Sequence, residues 1–413
     1  MTSLARARRL SYDALEMPAH TSKPTVAAGR TRKGAPAGSD GQDQASRGSS
    51  PPAGRGTIDL GSSDTLQILN EQGVADAVFD PKLPKAELLK IHRAMVLTRK
   101  LDIRMLAMQR QGEMATFAPG LGQEATQIGQ VFPLTAKDWF SPSYRSFGAQ
   151  LWRGWSIEQL MLLWDGFFEG FPPPEGVNDL PFSIVIGSHL LPAVGVAQAI
   201  QYREGEDVVL ANFGDGAISQ GAANEAFNFA AVDKAPIVFI CENNGWAISM
   251  PVEKQAATAT LAQRGVGFGI PGVRVDGNDV LAVLTATREA VERARSGDGP
   301  TLIECLTYRM SLHTTADDPK VYREEAQVEQ WMSKCPISRF EKYLIAKSVI
   351  DKAGCEKVAT ECEQQVLEAR ERFRGRAKAS PREVFDFVYE EITPELREQQ
   401  AEYFEKLKRK GIS

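Results

Sequence analysis

Apolar residues along the chain fall into two rhythms. From Pro84 to about Arg110 they recur at helical spacing, with Leu88, Ile91 and Met95 on one stripe, and Gly112 stops the run. This predicts a long helix opened by proline and closed by glycine. From about 184 to 310, short apolar runs alternate with helical stretches. The pattern predicts strands over 207–213, 236–241 and 301–308, and helices over 218–232 and 280–295, the second ended by Gly297 and Gly299. Strands that alternate with helices pair in parallel. The expected fold class is therefore α/β, a doubly wound, mostly parallel sheet flanked by helices. Upstream, residues 65–78 hold two short strand-like runs around the turn Glu71-Gln72-Gly73. Beyond about 336 the chain reads as helices rich in Glu, Lys and Arg, a region suited to packing or subunit contact.

Composition changes this picture mainly at the start of the chain. Residues 1–60 are rich in Arg, Ala, Gly, Ser and Pro, too poor in apolar surface to offset the entropy of ordering a chain. Three regions are expected: a disordered or targeting tail over 1–60, an α/β domain over 61–335 and a helical region over 336–413. The acid-poor opening with Arg6, Arg8 and Arg9 fits an organellar transit peptide and fits a plain bacterial tail equally well. The expected location is thus the bacterial cytoplasm, or the mitochondrial matrix if the tail is a targeting segment. Of the 413 residues, 43% are hydrophobic and 24% charged, ordinary for a globular protein. A net charge of −5 gives no reason to expect nucleic acid or an anionic membrane as partner. No apolar run approaches the roughly 18 residues that span a bilayer. Five scattered cysteines without CxxC spacing point to a reducing compartment, and argue against disulfides and a zinc site.

Candidate chemistry concentrates in Gly214-Asp215-Gly216, which 26 residues (Ala217 to Glu242) separate from Asn243-Asn244. A helix of about 15 residues runs back roughly 22 Å, and a strand of about 6 returns roughly 20 Å. The chain thus arrives at the sheet edge it left. Asp215 and Asn244 are expected at the carboxyl ends of adjacent parallel strands, where open α/β sheets bind ligands. The glycines allow close backbone approach, and the start of the following helix offers N–H groups to an anion. A carboxylate, an amide oxygen and a backbone carbonyl make a hard ligand set that suits Mg²⁺ or Ca²⁺ shared with phosphate oxygens. His313 follows the strand over 301–308 and is expected on the same edge. A glycine-rich phosphate fingerprint with a downstream acidic residue, the mark of a nucleotide-binding module, follows none of the predicted strands.

The segments GDGAISQG, CENNGWAIS, GIPGVRVDGND, GPTLIECLTYR and HTTADDPKVYR occur in that order. With them the chain, from about 65 to 400, resembles the alpha chains of heteromeric, thiamine-diphosphate-dependent 2-oxo acid dehydrogenases. The resemblance implies thiamine diphosphate and Mg²⁺ as cofactors. Asp215, the Asn244 side chain and the Trp246 carbonyl would bind the metal, and the Gly216 and Ala217 amides the diphosphate. Tyr144 and Arg145 match a diphosphate-contacting pair, and an arginine fork matches phosphate oxygens. Ile184 and Ile186, otherwise simply a strand, match positions whose backbone meets the aminopyrimidine ring. His313 matches the catalytic loop histidine that holds the diphosphate and aids acyl transfer to a lipoyl group. Thr314 and Thr315 stand where mitochondrial relatives carry a phosphorylated serine. His189 replaces a frequent glutamine, and Ala118 a histidine of eukaryotic pyruvate enzymes. The implied activity is oxidative decarboxylation of a 2-oxo acid with acylation of the partner's lipoyl group. The glutamate that activates the cofactor would come from a beta subunit in an α2β2 assembly, with a lipoyl-bearing dihydrolipoyl acyltransferase as the next partner. EGVNDLPFSIVIGS and Glu242 look most like the pyruvate enzymes. NNGWAIS and HTTADDP are also similar to branched-chain (2-oxoisovalerate) members; an acetoin dehydrogenase alpha chain or a non-enzymatic nucleotide- or metal-binding module ranks lower.

Overall fold

The computed structural model describes residues 64–376, 381–386 and 388–412; the expectations for residues 1–60 lie outside this set. In chain order the strands are β1 (Thr65–Leu66), β2 (Trp139–Ser141), β3 (Val209–Gly214), β4 (Ile237–Asn243), β5 (Trp246–Ala247), β6 (Met250–Pro251), β7 (Gly272–Asp276) and β8 (Thr301–Leu306). Six of them form one sheet in the order β1-β7-β8-β4-β3-β2, every pairing parallel. β5 and β6 form a short antiparallel hairpin. The helices used below are α1 (Lys85–Arg110), α2 (Glu124–Val131), α3 (Phe147–Trp152), α4 (Ile157–Trp164), α5 (Leu190–Tyr202), α6 (Gly221–Val232), α7 (Gln263–Val266), α8 (Val280–Arg295), α9 (Glu325–Met332), α10 (Pro336–Ala346) and α11 (Lys352–Gly375).

β3 and β4 read as mostly apolar runs, interrupted by Asn212, Glu242 and Asn243 toward their carboxyl ends, because helices cover both their faces. Val209, Ala211 and Phe213 pack with Ile237 and Phe239 against Ala193 and Ala197 of α5 and Ala226 and Phe227 of α6. The alternate residues Leu210, Val238 and Ile240 face Val283, Ala290 and Val291 of α8. The sheet is therefore doubly wound. Asp279 shows how its far edge is tied: one carboxylate oxygen caps Leu281 and Ala282 at the start of α8, and the other accepts from the Ile68 and Leu69 amides beside β1.

The helix expected from Pro84 is α1, and the core does not stop at residue 336. Leu88, Ile91 and Met95 pack with Phe340 and Leu344 of α10 and Cys362 of α11. Further along α1, Leu101, Met105 and Met108 meet Val366, Ala369 and Phe373 of α11.

Two local expectations differ. Residues 76–79 turn instead of forming a second strand, because the Asp76 carboxylate accepts from the Val78 and Phe79 amides. The helix expected from Ile218 is split. A 3₁₀ turn covers Asp215–Ser219, Gln220 is extended, and α6 begins at Gly221. No helix among the described residues is long and apolar enough to cross a membrane.

Candidate active site

Register brings the two conspicuous strand tips together. Gly214 lies opposite Glu242 on adjacent β3 and β4, so Asp215 and Asn244 leave neighbouring strands at the same edge. The Asp215 carboxyl is 1% exposed and faces the backbone N–H of Asn244. Burial pushes it up to about 6, only partly offset by backbone and Gln255 hydrogen bonds. The Asn244 amide oxygen accepts from the Trp246 N–H at 3.3 Å, and its nitrogen donates to Gln123 Oε1 at 3.2 Å. Gly216 must be glycine: a Cβ there would sit 2.8 Å from the Ala247 Cβ of the hairpin.

Opposite these tips stands a basic cluster. Arg145 Nη2 lies 3.2 Å from His313 Nδ1 and also donates to the His313 carbonyl. Arg309 Nη1 lies 3.3 Å from the same ring nitrogen. A guanidinium can only donate, so Nδ1 accepts and the ring proton sits on Nε2. Burial, then Arg145 and Arg309, lower the His313 pKa to about 4. Burial, then Arg145, lower Arg309 to about 10. The His313 loop is braced by Asp317, which accepts from the His313 amide at 2.7 Å and from the Tyr322 hydroxyl at 2.6 Å.

The loop that carries Arg145 is held from below. Asn212 of β3 accepts from the Ser143 amide and the Ser146 hydroxyl, and donates to Glu242 and Gln130. Burial raises the Glu242 carboxyl to about 7 against the hydrogen bonds from Asn212 and Gln130. Asp102 of α1 is likewise raised to about 7 by burial, and accepts from the Gly120 amide at 2.7 Å.

Tyr144, Arg145, Ile184, Ile186, Asp215, Gly216, Ala217, Asn244, Trp246 and His313 all line one cleft of about 760 Å³. The strand expected at Ile184 and Ile186 is a bridge at Ser183 followed by turns. Ile184, Val185 and Ile186 are 66%, 69% and 41% exposed. His189 also lines the cleft; its Nε2 meets the Asn212 carbonyl at 2.8 Å, while its buried Nδ1 has no partner. Arg309 escapes a reading of the sequence. It lies four residues before His313, just past β8, but a single arginine after a strand carries no signature.

The donor set fits a metal-bound diphosphate. A buried carboxylate, an amide oxygen and a glycine-lined turn share the cleft with the Arg145 guanidinium and a neutral histidine, while Arg309 is buried behind the lining and donates to the Trp246 and Ile248 carbonyls and the Tyr322 hydroxyl. A polyanion on a divalent cation would balance both sides.

Fold and cleft together define a parallel α/β protein with a polar, partly basic cleft at the carboxyl edge of its sheet. Residues 92–382 match the model of the dehydrogenase E1 component family, and the chain belongs to that family, among the thiamine-diphosphate-dependent 2-oxo acid dehydrogenase alpha chains. It is 44% identical over 332 residues to the pyruvate dehydrogenase E1 component subunit alpha of Acholeplasma laidlawii, covering 80% of this chain and 96% of that one. It is 41% identical over 345 residues to the 3-methyl-2-oxobutanoate dehydrogenase subunit alpha of Mycobacterium tuberculosis, covering 83% and 93%. With the Bacillus subtilis pyruvate dehydrogenase E1 component subunit alpha the identity is 40% over 344 residues, covering 83% and 93%.

Proposed function

We propose that the chain is the alpha subunit of an enzyme that oxidatively decarboxylates pyruvate and passes the acyl group to a lipoyl-bearing dihydrolipoyl acyltransferase. The observation that carries this reading is the meeting of Asp215 and Asn244 on adjacent strand tips in one cleft with Arg145 and His313. Asp215, Asn244 and the Trp246 carbonyl would hold Mg²⁺. Gly216, Ala217, Tyr144, Arg145 and His313 would hold the diphosphate, with Ile184 and Ile186 beside the ring. When bound, thiamine diphosphate supplies the electron sink for decarboxylation. The chain's own contribution is to orient it, exclude water and present the Nε2 hydrogen of His313 to the reacting group.

The exposed apolar turn at 184–186 supports a partner that closes the cleft, a beta subunit in an α2β2 assembly. Residues 61–335 would form the cofactor-binding domain, residues 336–413 a packing and contact region, and residues 1–60 a tail. Relatives named for pyruvate and for 3-methyl-2-oxobutanoate stand at similar identity. Glu242, at the floor of the cleft, favours pyruvate, since the resemblance links glutamate there to pyruvate enzymes. The test is co-expression with a beta-type chain and assay of both 2-oxo acids with and without thiamine diphosphate and Mg²⁺. Cofactor-dependent turnover that favours pyruvate is expected. Turnover that favours 3-methyl-2-oxobutanoate would replace the substrate, and turnover indifferent to the cofactor would overturn the reading.

A further inference from the structure

Three helices meet at a point whose residues take no part in lining the cleft. His92 of α1, Glu341 of α10 and Cys355 of α11 bring one ligand-type atom each to within 4.8 Å of the others, the one such His/Cys/carboxylate group among the described residues. Nothing along the chain announces it, because the three side chains come from separate segments with no metal-type spacing. The histidine is fully buried and the cysteine is buried, whereas the Glu341 side chain is 30% exposed.

One of the three separations already matches a coordination shell, and the thiol lies within 4.8 Å of both other atoms. His92 Nε2 and Glu341 Oε1 are 3.0 Å apart. Two ligands bound tetrahedrally at about 2.0–2.1 Å are themselves roughly 3.3 Å apart, so a small adjustment would seat an ion between them. The thiol is close enough to feel Glu341, Asp351 and Glu356, all negative. Nε2 is the imidazole nitrogen turned to Glu341, whereas the buried Nδ1, which has no hydrogen-bond partner, points away from it and would not touch the ion.

We propose that His92, Glu341 and Cys355 form a Zn²⁺ site that clamps α10 and α11 onto α1. One thiolate and one carboxylate neutralise a divalent ion, and an imidazole nitrogen completes a borderline-soft N/O/S set of the kind zinc takes. Water reaching the ion from the exposed side of Glu341 supplies the fourth ligand. Binding releases the thiol proton to solvent and changes no oxidation state.

The test uses the full-length chain, stripped of metal with a chelator and held in excess Mg²⁺ so that oxygen-rich sites are filled. One equivalent of Co²⁺ is expected to give a thiolate-to-cobalt charge-transfer band that Zn²⁺ then removes, and Zn²⁺ is expected to raise the melting temperature. Cys355→Ser should abolish the band and weaken Zn²⁺ on the order of a hundredfold. Glu341→Gln keeps the thiol and sits on the exposed side; it should retain the fold and weaken Zn²⁺ roughly tenfold or more. Absence of the band in the unaltered chain overturns the proposal, as does a band that survives Cys355→Ser. Unchanged Zn²⁺ affinity in Glu341→Gln does the same.

Discussion

Replacing Asp215 by asparagine is expected to stabilise the cofactor-free protein while removing its response to cofactor. The carboxyl is buried and moves from its ordinary 3.8 to about 6, which corresponds to about 3 kcal/mol between its two protonation states. The sign follows from proton linkage. Between about pH 4 and pH 6 the native chain binds a proton that the unfolded chain has released, so stability falls as pH rises through that window. At neutral pH the full penalty of a buried carboxylate only partly offset by its hydrogen bonds is present. The substituted side chain carries no charge, but its amide nitrogen must face donors such as Gln255 Nε2, a loss of about 1 kcal/mol. The net gain is about 2 kcal/mol, several degrees in melting temperature. The assay is thermal melting of the co-expressed subunits at pH 7, with and without thiamine diphosphate and Mg²⁺. The original protein should melt lower without cofactor and rise sharply on its addition. Asp215→Asn should start higher and stay there. A variant that melts no higher than the original, yet keeps the full cofactor-induced rise, would refute the reasoning.

Three further outcomes are expected. Arg309→Met removes one of the cations that lower His313, so the imidazole pKa should climb from about 4 toward its ordinary value; NMR titration of the ring reads this, and inorganic diphosphate added to the unaltered protein should move it the same way. His313→Ala should lose acyl transfer to lipoyl while weakening cofactor binding less, seen by comparing lipoyl acylation with a calorimetric titration; intact acylation would remove the histidine from that role. Gly216→Ala forces a Cβ to within 2.8 Å of Ala247, an overpacking cost of about 1–3 kcal/mol that should appear as a roughly five- to hundredfold loss of cofactor affinity with the fold retained.

How far the residues foretell the molecule depends on where each buries itself. β3, β4 and β8 are visible because strands covered on both faces are mostly apolar, with a polar residue only here and there, and α1 because its stripe repeats over many turns. β7 is not: Gly272 and Arg274 interrupt its five residues, and its place beside β8 is fixed by pairing rather than by pattern. β2 is three residues long, below the reach of any periodicity. Asp215 and Asn244 are legible because their separation equals one helix and one strand. Arg309, Asp102 and the Asn212–Glu242–Gln130 floor are not, since each gains meaning only from partners brought in by folding. His92, Glu341 and Cys355 make the same point at longer range: scattered cysteines argue against zinc, and only folding gathers the three.

α1 has 26 residues, about 39 Å of stiff helix. Near its start His92 touches Glu341, and ten residues on Asp102 accepts from the amide of Gly120, buried two residues past Ala118 of the cleft wall. The helix therefore works as a ruler as well as a wall: the distance between the carboxyl-terminal helices and this side of the cleft is set by a rod that does not stretch. Changes in how those helices seat are felt there as tilt or rotation rather than as slack.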